Sequence, residues 1–263
     1  MDTDIFKVAI MGVVEGVTEF LPISSTGHLI LAGDILGFTN DTAKTFEVFI
    51  QLGAILSVVW LYREKVLSSI KGIGTQNTNR FLLNLMIAFL PAAFFGFITH
   101  SFIKQHLFSP ITVAFALVIG GIAILVIERV VKRAAVMDID DVSFKQALGI
   151  GLAQTLSLFP GVSRAGATIM GGMCLGLNRK TSTEFSFFLA IPTMFAATSY
   201  DLLKNLHNLT TGDLPIFAVG FLVSFFSALF VIKAFLGFVT KYNFNSFAIY
   251  RIIFGAVVLF YYV

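Results

Sequence analysis

Eight apolar regions divide this chain, and two of them are broken in the middle. A membrane-crossing helix needs about 20 mostly apolar residues. Six stretches meet that need, at roughly 43–62, 81–100, 110–128, 184–202, 214–238 and 247–262. Regions 5–37 and 144–177 are apolar at both ends but carry small and polar residues at their centres, EGVTEFLPISSTGH (15–28) and QTLSLFPGVSRAGAT (154–168). Their flanking pieces are too short to cross alone. Each region is therefore expected to form a re-entrant helix–loop–helix hairpin. Irregular backbone at membrane depth survives only inside protein or beside a water-filled cavity, so both loops belong in a buried polar pocket. Composition agrees: 57% of residues are hydrophobic and 13% charged, with a mean hydropathy of +0.88. A soluble domain carries about 25% charged residues. The expected fold is an all-α polytopic membrane protein, one integral membrane domain over 1–263.

The charges sit between the apolar runs, and the net charge is only +3. That is the pattern of membrane loops and excludes a nucleic-acid-binding face. Arg63, Lys65, Lys71, Arg80, Arg129, Lys132, Arg133, Arg179, Lys180 and Lys241 fall in loops on one side, against Lys7, Lys104 and Lys204 on the other, with Lys44 ambiguous at a span edge. The positive-inside rule puts the richer set in the cytoplasm and the N-terminus outside. The first hairpin then enters from outside and the second from the cytoplasm. The opening MDTDIFKVAI lacks the basic n-region and cleavage site of a secretory signal and reads as mature sequence. Cys174 is the only cysteine, so no intramolecular disulfide forms; it reads as a small packing residue in an apolar run.

An offset of 139 residues aligns the two hairpin regions without a gap. Gly12 falls on Gly151, Glu15 on Gln154, Phe20 on Phe159, Ser24 on Ser163, Ser25 on Arg164 and Gly27 on Gly166. Further on, TFEVF (45–49) meets EFSFF (184–188). Each half, approximately 1–130 and 140–263, contributes one hairpin and three spans. Three is odd, so the second copy enters the membrane upside down, an inverted-topology repeat. Such folds place their ligand site near the midplane, where the broken helices of both halves meet. Residues 15–28 and 163–168 are thus expected to converge.

Those two loops hold the residues capable of chemistry. Glu15 and Glu19 are one helical turn apart, so their side chains share a face. Two carboxylates in a membrane helix are costly unless something positive joins them. A helix end dipping into outside water is the plain reading. The sharper one is a site for a hard divalent cation, Mg²⁺ or Ca²⁺, completed by phosphate oxygens of a substrate. Ser24, Ser25, Thr26, Gly27 and His28 follow, leading into a short helix over 28–37. Ser and Thr there can simply cap the helix. The same geometry aims free backbone N–H groups at an anion, with Gly27 letting the backbone approach closely. Ser25 with His28 suggests a nucleophile and a proton carrier, although His28 can equally be structural. In the partner loop, Arg164 keeps its charge and needs an anion. That anion is either Glu15 or Glu19 in a salt bridge or a phosphate held bidentately. Ser163, Gly166 and Thr168 can add contacts.

Weaker candidates complete the set. Glu47 and Gln51 lie one turn apart on the first full span, and Gln51 is a candidate substrate contact. Arg251 in the last span is a candidate second phosphate contact. Glu184, near Lys180, reads as an interface residue. His100, His106 and His207 lie near loops and are expected to be solvated. The Phe-rich stretches read as lipid-facing packing rather than a cofactor box.

The motifs EGVTEFLPISSTGH and PGVSRAGATI (160–169) resemble the two signature regions of the bacterial undecaprenyl-pyrophosphate phosphatases, also called bacitracin-resistance proteins. DTAKTFEVFIQLGAIL (41–56), EFSFFLAIP (184–192) and FAIYR (247–251) extend the resemblance over essentially the whole chain. Ala165 departs from the family loop, which often has a second Ser there. The resemblance implies divalent-metal-dependent hydrolysis of undecaprenyl pyrophosphate to the monophosphate. That reaction recycles the lipid carrier for peptidoglycan. It implies bacitracin resistance, a place in the bacterial cytoplasmic (inner) membrane and a pocket opening to the periplasmic side. It carries over Glu15, Glu19, Ser25, His28 and Arg164 as the acting residues. Ser25 attack with His28 managing the proton, and water attack positioned by His28, both remain open. The implied partners are a polyprenyl pyrophosphate lipid and the bilayer, with no nucleic acid; a homodimer is compatible. The rival class is a lipid transporter or flippase, since inverted repeats and broken midplane helices are transporter features. An intramembrane protease finds no support, because no second acidic or Ser/His constellation faces a peptide groove.

Overall fold

A computed structural model describes residues 2–39, 41–131, 134–205 and 214–263. The side chains of Lys44, His100 and Lys104 lie outside the described residues, as do Lys132, Arg133 and His207 entirely. Among the described residues the chain is helical, with no strand beyond one isolated bridge between Val136 and Leu177. Helices α1 (Asp2–Thr18) and α2 (Ser25–Leu36) form the first broken region, and α7 (Phe144–Thr155) and α8 (Arg164–Cys174) the second. Between them run α3 (Asp41–Leu61), α4 (Arg63–Lys71), α5 (Gln76–His106) and α6 (Pro110–Val130). After them come α9 (Arg179–Asn205), α10 (Leu214–Val239) and α11 (Asn245–Tyr262).

Among the described residues, five helices are long and apolar enough to cross a membrane: Gln76–Thr99, Pro110–Val130, Arg179–Lys204, Leu214–Val239 and Asn245–Tyr262. Thr45–Leu61 and Arg63–Lys71 meet the same criterion only as a pair bent by 73°, which makes a sixth span if the two are counted as one. The chain is therefore a multi-pass membrane protein whose spans fall where the apolar runs put them. At 1.5 Å per residue, α2, α7 and α8 each cover roughly 17–18 Å and cannot cross a hydrocarbon core of about 30 Å alone.

Local chemistry explains where these helices start and stop. Ser109 caps α6 by accepting from Thr112 N–H, with Pro110 at the first helical position. Ser143 and Gln146 form a reciprocal capping box at the start of α7. Gly37, in the left-handed conformation, ends α2. Helix α2 begins at Ser25, three residues before the expected start, because Ser24 turns the chain with φ 70°.

Packing crosses between the halves. Helix α1 packs on α10, α7 on α5, α3 on α9 and α11 on α6. Close approach requires glycine at two equivalent points. A side chain at Gly12 would meet the Gly220 carbonyl at 2.7 Å, and one at Gly151 would meet the Ala88 carbonyl at 2.5 Å. The phenylalanines divide between two solvents. Phe20, Phe46, Phe185, Phe187 and Phe188 are core, whereas Phe94, Phe97, Phe226, Phe230 and Phe260 face outward. So the expectation of lipid-facing packing holds for only part of them. Glu184 meets Tyr62 at 3.5 Å and Lys180 at 4.0 Å, an interface residue. The His106 side chain is exposed and stacks on Phe102.

Candidate active site

The two helix breaks meet. Ser163 Oγ donates to the Leu21 carbonyl at 3.4 Å, and Arg164 Nη2 donates to Glu19 Oε1 at 3.1 Å across 145 positions of sequence. Glu19 Oε2 accepts from Ser25 Oγ at 2.5 Å. One carboxylate thus joins the first helical residues of α2 and α8, and the positive ends of both helix dipoles come to one place. Phe20 lies under the Arg164 guanidinium at 5.6 Å, an apolar floor for the charge. Glu19 is 9% exposed and the Arg164 side chain 11%, so solvent screens their pair little.

Arg164 is held from behind as well. Its Nη1 donates to the Ser186 carbonyl at 3.0 Å and to Ser186 Oγ at 3.4 Å. Thr168 Oγ1 shares a 2.6 Å hydrogen bond with Ser186 Oγ. Thr168 is therefore part of the support for the guanidinium and not a surface for a ligand. Sequence reasoning missed Ser186, yet its signal was present: the 139-residue offset pairs it with Glu47. Arg164 Nε, buried, has no partner.

Glu15 is wholly buried, and both its carboxylate oxygens lack a hydrogen-bond partner. Its charged neighbours are Glu19, Glu47 and Arg164. Of these, Glu19 is the one in direct contact with the guanidinium. Among the described residues no three His, Cys, Asp or Glu side chains form a complete metal-binding group. An ion held by the two carboxylates of α1 would need further oxygens, such as those of a bound phosphate, to complete its shell. Gln51 lies half-buried on α3.

Several expected contacts are made differently. His28 pairs through Nδ1 with the Ser24 carbonyl at 2.7 Å and through Nε2 with Tyr250 Oη at 2.6 Å. A carbonyl only accepts, so Nδ1 carries a proton, and in the neutral ring Nε2 accepts from the tyrosine. The ring is stacked on Phe254 at 4.1 Å. Both nitrogens are thus engaged away from Ser25, whose proton faces Glu19 instead. Tyr250 and Phe254 were not singled out from sequence, although Tyr250 lies in FAIYR.

Arg251 corrects a second expectation. It is 1% exposed and donates all five N–H groups to backbone carbonyls. Those acceptors are Pro22 of the first loop, Gly161 and Val162 of the second, and Ala116 and Leu117 of α6, all at 2.9–3.2 Å. No donor remains for a phosphate; the guanidinium clasps both loops. Gly27 and Gly166 serve packing in the same way. A side chain at Gly27 would press on Val113 and Leu117 at 3.2 Å, and one at Gly166 would meet Arg251 Nη1 at 3.2 Å. Ser163 Oγ accepts from Gly166 N–H at 3.0 Å while donating to Leu21, so it caps α8 and its one donor is spent. Ser24 is buried and makes no side-chain cap; Thr26 is half-buried beside it. Both Ser24 and Ser163, equivalent under the repeat, hold positive φ (70° and 75°). Such backbone costs on the order of 1–3 kcal/mol per residue and collects at functional sites.

Groups left facing the junction are the Glu15 carboxylate, Glu19, Ser25, Arg164 and the free N–H groups of two helix starts. That set can bind and polarise a phosphate ester. Known proteins have the same sequence pattern. An undecaprenyl-diphosphatase of Methylobacillus flagellatus is 53% identical over 263 residues, covering 98% of each chain. One of Aromatoleum aromaticum is 53% identical over 98% of this chain and 95% of its own. One of Nitrosomonas europaea is 55% identical over 97% of this chain and 93% of its own. A family described as bacitracin resistance protein BacA matches residues 8–257, and the chain belongs to that family.

Proposed function

We propose that this protein is an undecaprenyl-diphosphate phosphatase, removing the terminal phosphate of the lipid pyrophosphate in the bacterial cytoplasmic membrane. The observation that carries the reading is Glu19 shared between the Ser25 hydroxyl and the Arg164 guanidinium at the junction of two helix starts. Arg164 and the helix N–H groups receive the phosphate oxygens, whose charge spreads outward in the transition state. Ser25 Oγ attacks the terminal phosphorus and passes its proton to Glu19. The bond from phosphorus to the bridging oxygen breaks, and undecaprenyl phosphate leaves with that oxygen. Water then cleaves the phosphoserine, releasing phosphate and returning the proton to Ser25. Glu15 and Glu19 would hold a divalent cation, Mg²⁺ or Ca²⁺, which when bound neutralises charge on the pyrophosphate. His28, fixed by Ser24, Tyr250 and Phe254, positions the start of α2.

The fold is read as two inverted copies, each a re-entrant hairpin and three spans, with the N-terminus and the pocket on the periplasmic side. The pairing of α1 with α10 and α7 with α5, which the repeat exchanges, supports this reading. The Lys/Arg asymmetry supports the orientation. Recycling the carrier would sustain peptidoglycan synthesis and confer bacitracin resistance.

The deciding experiment measures phosphate release from undecaprenyl pyrophosphate by purified protein in detergent. Ser25→Ala and Arg164→Ala are each expected to lower kcat by about 10²-fold or more. Full-rate hydrolysis by both refutes the reading and favours transport. Rapid-quench trapping of phosphoserine separates Ser25 attack from direct attack by water. Cysteine accessibility in the loops at 63–80 and 101–109, on a Cys174→Ser background, tests the orientation.

A further inference from the structure

The three nitrogens of the Arg164 guanidinium are held unequally. Nη1 is turned toward α9, where it donates to the Ser186 carbonyl at 3.0 Å and to Ser186 Oγ at 3.4 Å. Nη2 donates to Glu19 Oε1 at 3.1 Å and to Met194 Sδ at 3.6 Å. Nε is buried and, among the described residues, has no partner. A thioether is a weak acceptor, so the contact with Met194 yields readily to an oxyanion. Nε and Nη2 lie along one edge of the guanidinium and make a fork that can take two oxygens of one phosphate. The nitrogen outside that fork, Nη1, is the one Ser186 holds.

The hydroxyls behind it have a fixed direction. Thr168 Oγ1 lies 2.9 Å from the Arg164 carbonyl and 3.2 Å from the Ala165 carbonyl. Carbonyls only accept, so the single Thr168 proton goes to them. The 2.6 Å bond between Thr168 Oγ1 and Ser186 Oγ is then donated by Ser186. That spends the Ser186 proton and leaves its lone pairs to face Nη1. Ser186 is wholly buried and Thr168 nearly so, which keeps water from competing for these bonds. The hold is also neutral. The 139-residue offset pairs Ser186 with Glu47 and Arg164 with Ser25, so the first half has a carboxylate at the equivalent place. A carboxylate at 186 would fasten the guanidinium too, but it would cancel charge that a phosphate needs. A hydroxyl and a carbonyl orient the guanidinium and leave its charge to Glu19 and the ligand.

We infer that Ser186 is a positioning residue of the reaction. With Thr168 behind it, Ser186 anchors Nη1 so that the Nε–Nη2 edge is presented to the phosphoryl oxygens. The inference rests on the phosphatase reading and deepens it. Ser186 acts through Arg164 and not on the substrate. Aim matters most when charge spreads over the phosphoryl oxygens, so its loss falls on kcat.

The test measures phosphate release from undecaprenyl pyrophosphate by the full chain in detergent, with thermal midpoints taken in parallel. Ser186→Ala is expected to lower kcat about tenfold and leave KM within about twofold of wild type, as for a contact made in the transition state. Thr168→Val keeps the side chain's shape, frees the Ser186 hydroxyl to turn, and is expected to cost about threefold in kcat. The two changes together should cost no more than Ser186→Ala alone. In an Arg164→Lys background, which has no Nη1, Ser186→Ala should change kcat by less than about twofold. A purely scaffolding role would cost the same factor in both backgrounds. Wild-type kcat in Thr168→Val and in Ser186→Ala overturns the inference and leaves the phosphatase reading intact. So does an undiminished tenfold loss in the Arg164→Lys background. If Ser186→Ala does not fold, Thr168→Val decides alone, and its loss must likewise vanish with Arg164→Lys. A wild-type protein that releases no phosphate removes the phosphatase reading, and this inference with it.

Discussion

Replacing Arg251 with Met should loosen the active loops without touching a catalytic group. The guanidinium donates to five carbonyls, but two of them, Ala116 and Leu117, lie inside α6 and keep their helical partners. The other three, Pro22, Gly161 and Val162, belong to the two loops. A buried acceptor without a donor costs about 1–3 kcal/mol, so the gross loss is on the order of 3–9 kcal/mol. No carboxylate pairs with Arg251 among the described residues, and removing a buried charge returns part of that sum. A net loss of about 3–5 kcal/mol is expected, in the range for breaking a buried ionic contact. At about 2–4 °C per kcal/mol for a chain of this length, the midpoint should fall by roughly 6–20 °C. Heating in detergent with size-exclusion readout measures it. At a temperature where the variant stays folded, kcat should still drop, because Ser163 and Arg164 follow directly on Gly161 and Val162. Arg251→Lys restores at most three donors and should fall between. An Arg251→Met protein that melts and turns over like wild type refutes the clasp.

Other predictions concern the junction itself. Glu15→Gln should abolish stimulation by Mg²⁺ or Ca²⁺ in a phosphate-release assay, and chelation should reproduce the loss in the wild type; full metal dependence in the variant refutes the cation assignment. Glu19→Gln removes the acceptor for the Ser25 proton and should lower kcat by about 10²–10⁴-fold, the usual worth of a general base. Activity unaffected by that change would reassign the proton to another group. Tyr250→Phe deletes one hydrogen bond to His28 and should cost about 0.5–1.5 kcal/mol in stability, with at most a modest fall in kcat. A collapse of kcat at full stability would instead make His28 a proton carrier.

Much of the scaffold is legible in the sequence, for a physical reason. In lipid every backbone polar group must be satisfied internally, so apolar length alone specifies the spans. The two interruptions follow from the same rule read backwards. Glu15, Glu19 and Arg164 stand out because only 13% of the chain is charged, and Ser25 because it lies in the same interrupted segment as the two carboxylates. What sequence does not carry is the direction of each side chain. Arg251 looks as suitable for phosphate as Arg164 until five carbonyls are found around it. Gly27 and Gly166 look like phosphate-approach glycines, but the neighbours that need their space, Val113, Leu117 and Arg251, are distant in sequence. Ser186 and Tyr250 are ordinary polar residues of amphipathic helices until the fold sets them against Arg164 and His28. Each of these roles depends on a contact between different helices, and local pattern has no access to it.

The long reach of the Arg251 clasp bears on how this protein is made. Pro22 and Arg251 are 229 positions apart, so the ribosome completes the first loop long before the residue that fastens it exists. The wall behind that loop is also late, since α1 rests on α10. During synthesis Glu15 and Glu19 must wait in water or at the bilayer surface for the C-terminal helices to arrive. A truncation after α9 would therefore strand the carboxylate-bearing hairpin outside the hydrocarbon, exposed to proteases and quality-control factors. Insertion of this chain finishes at its beginning.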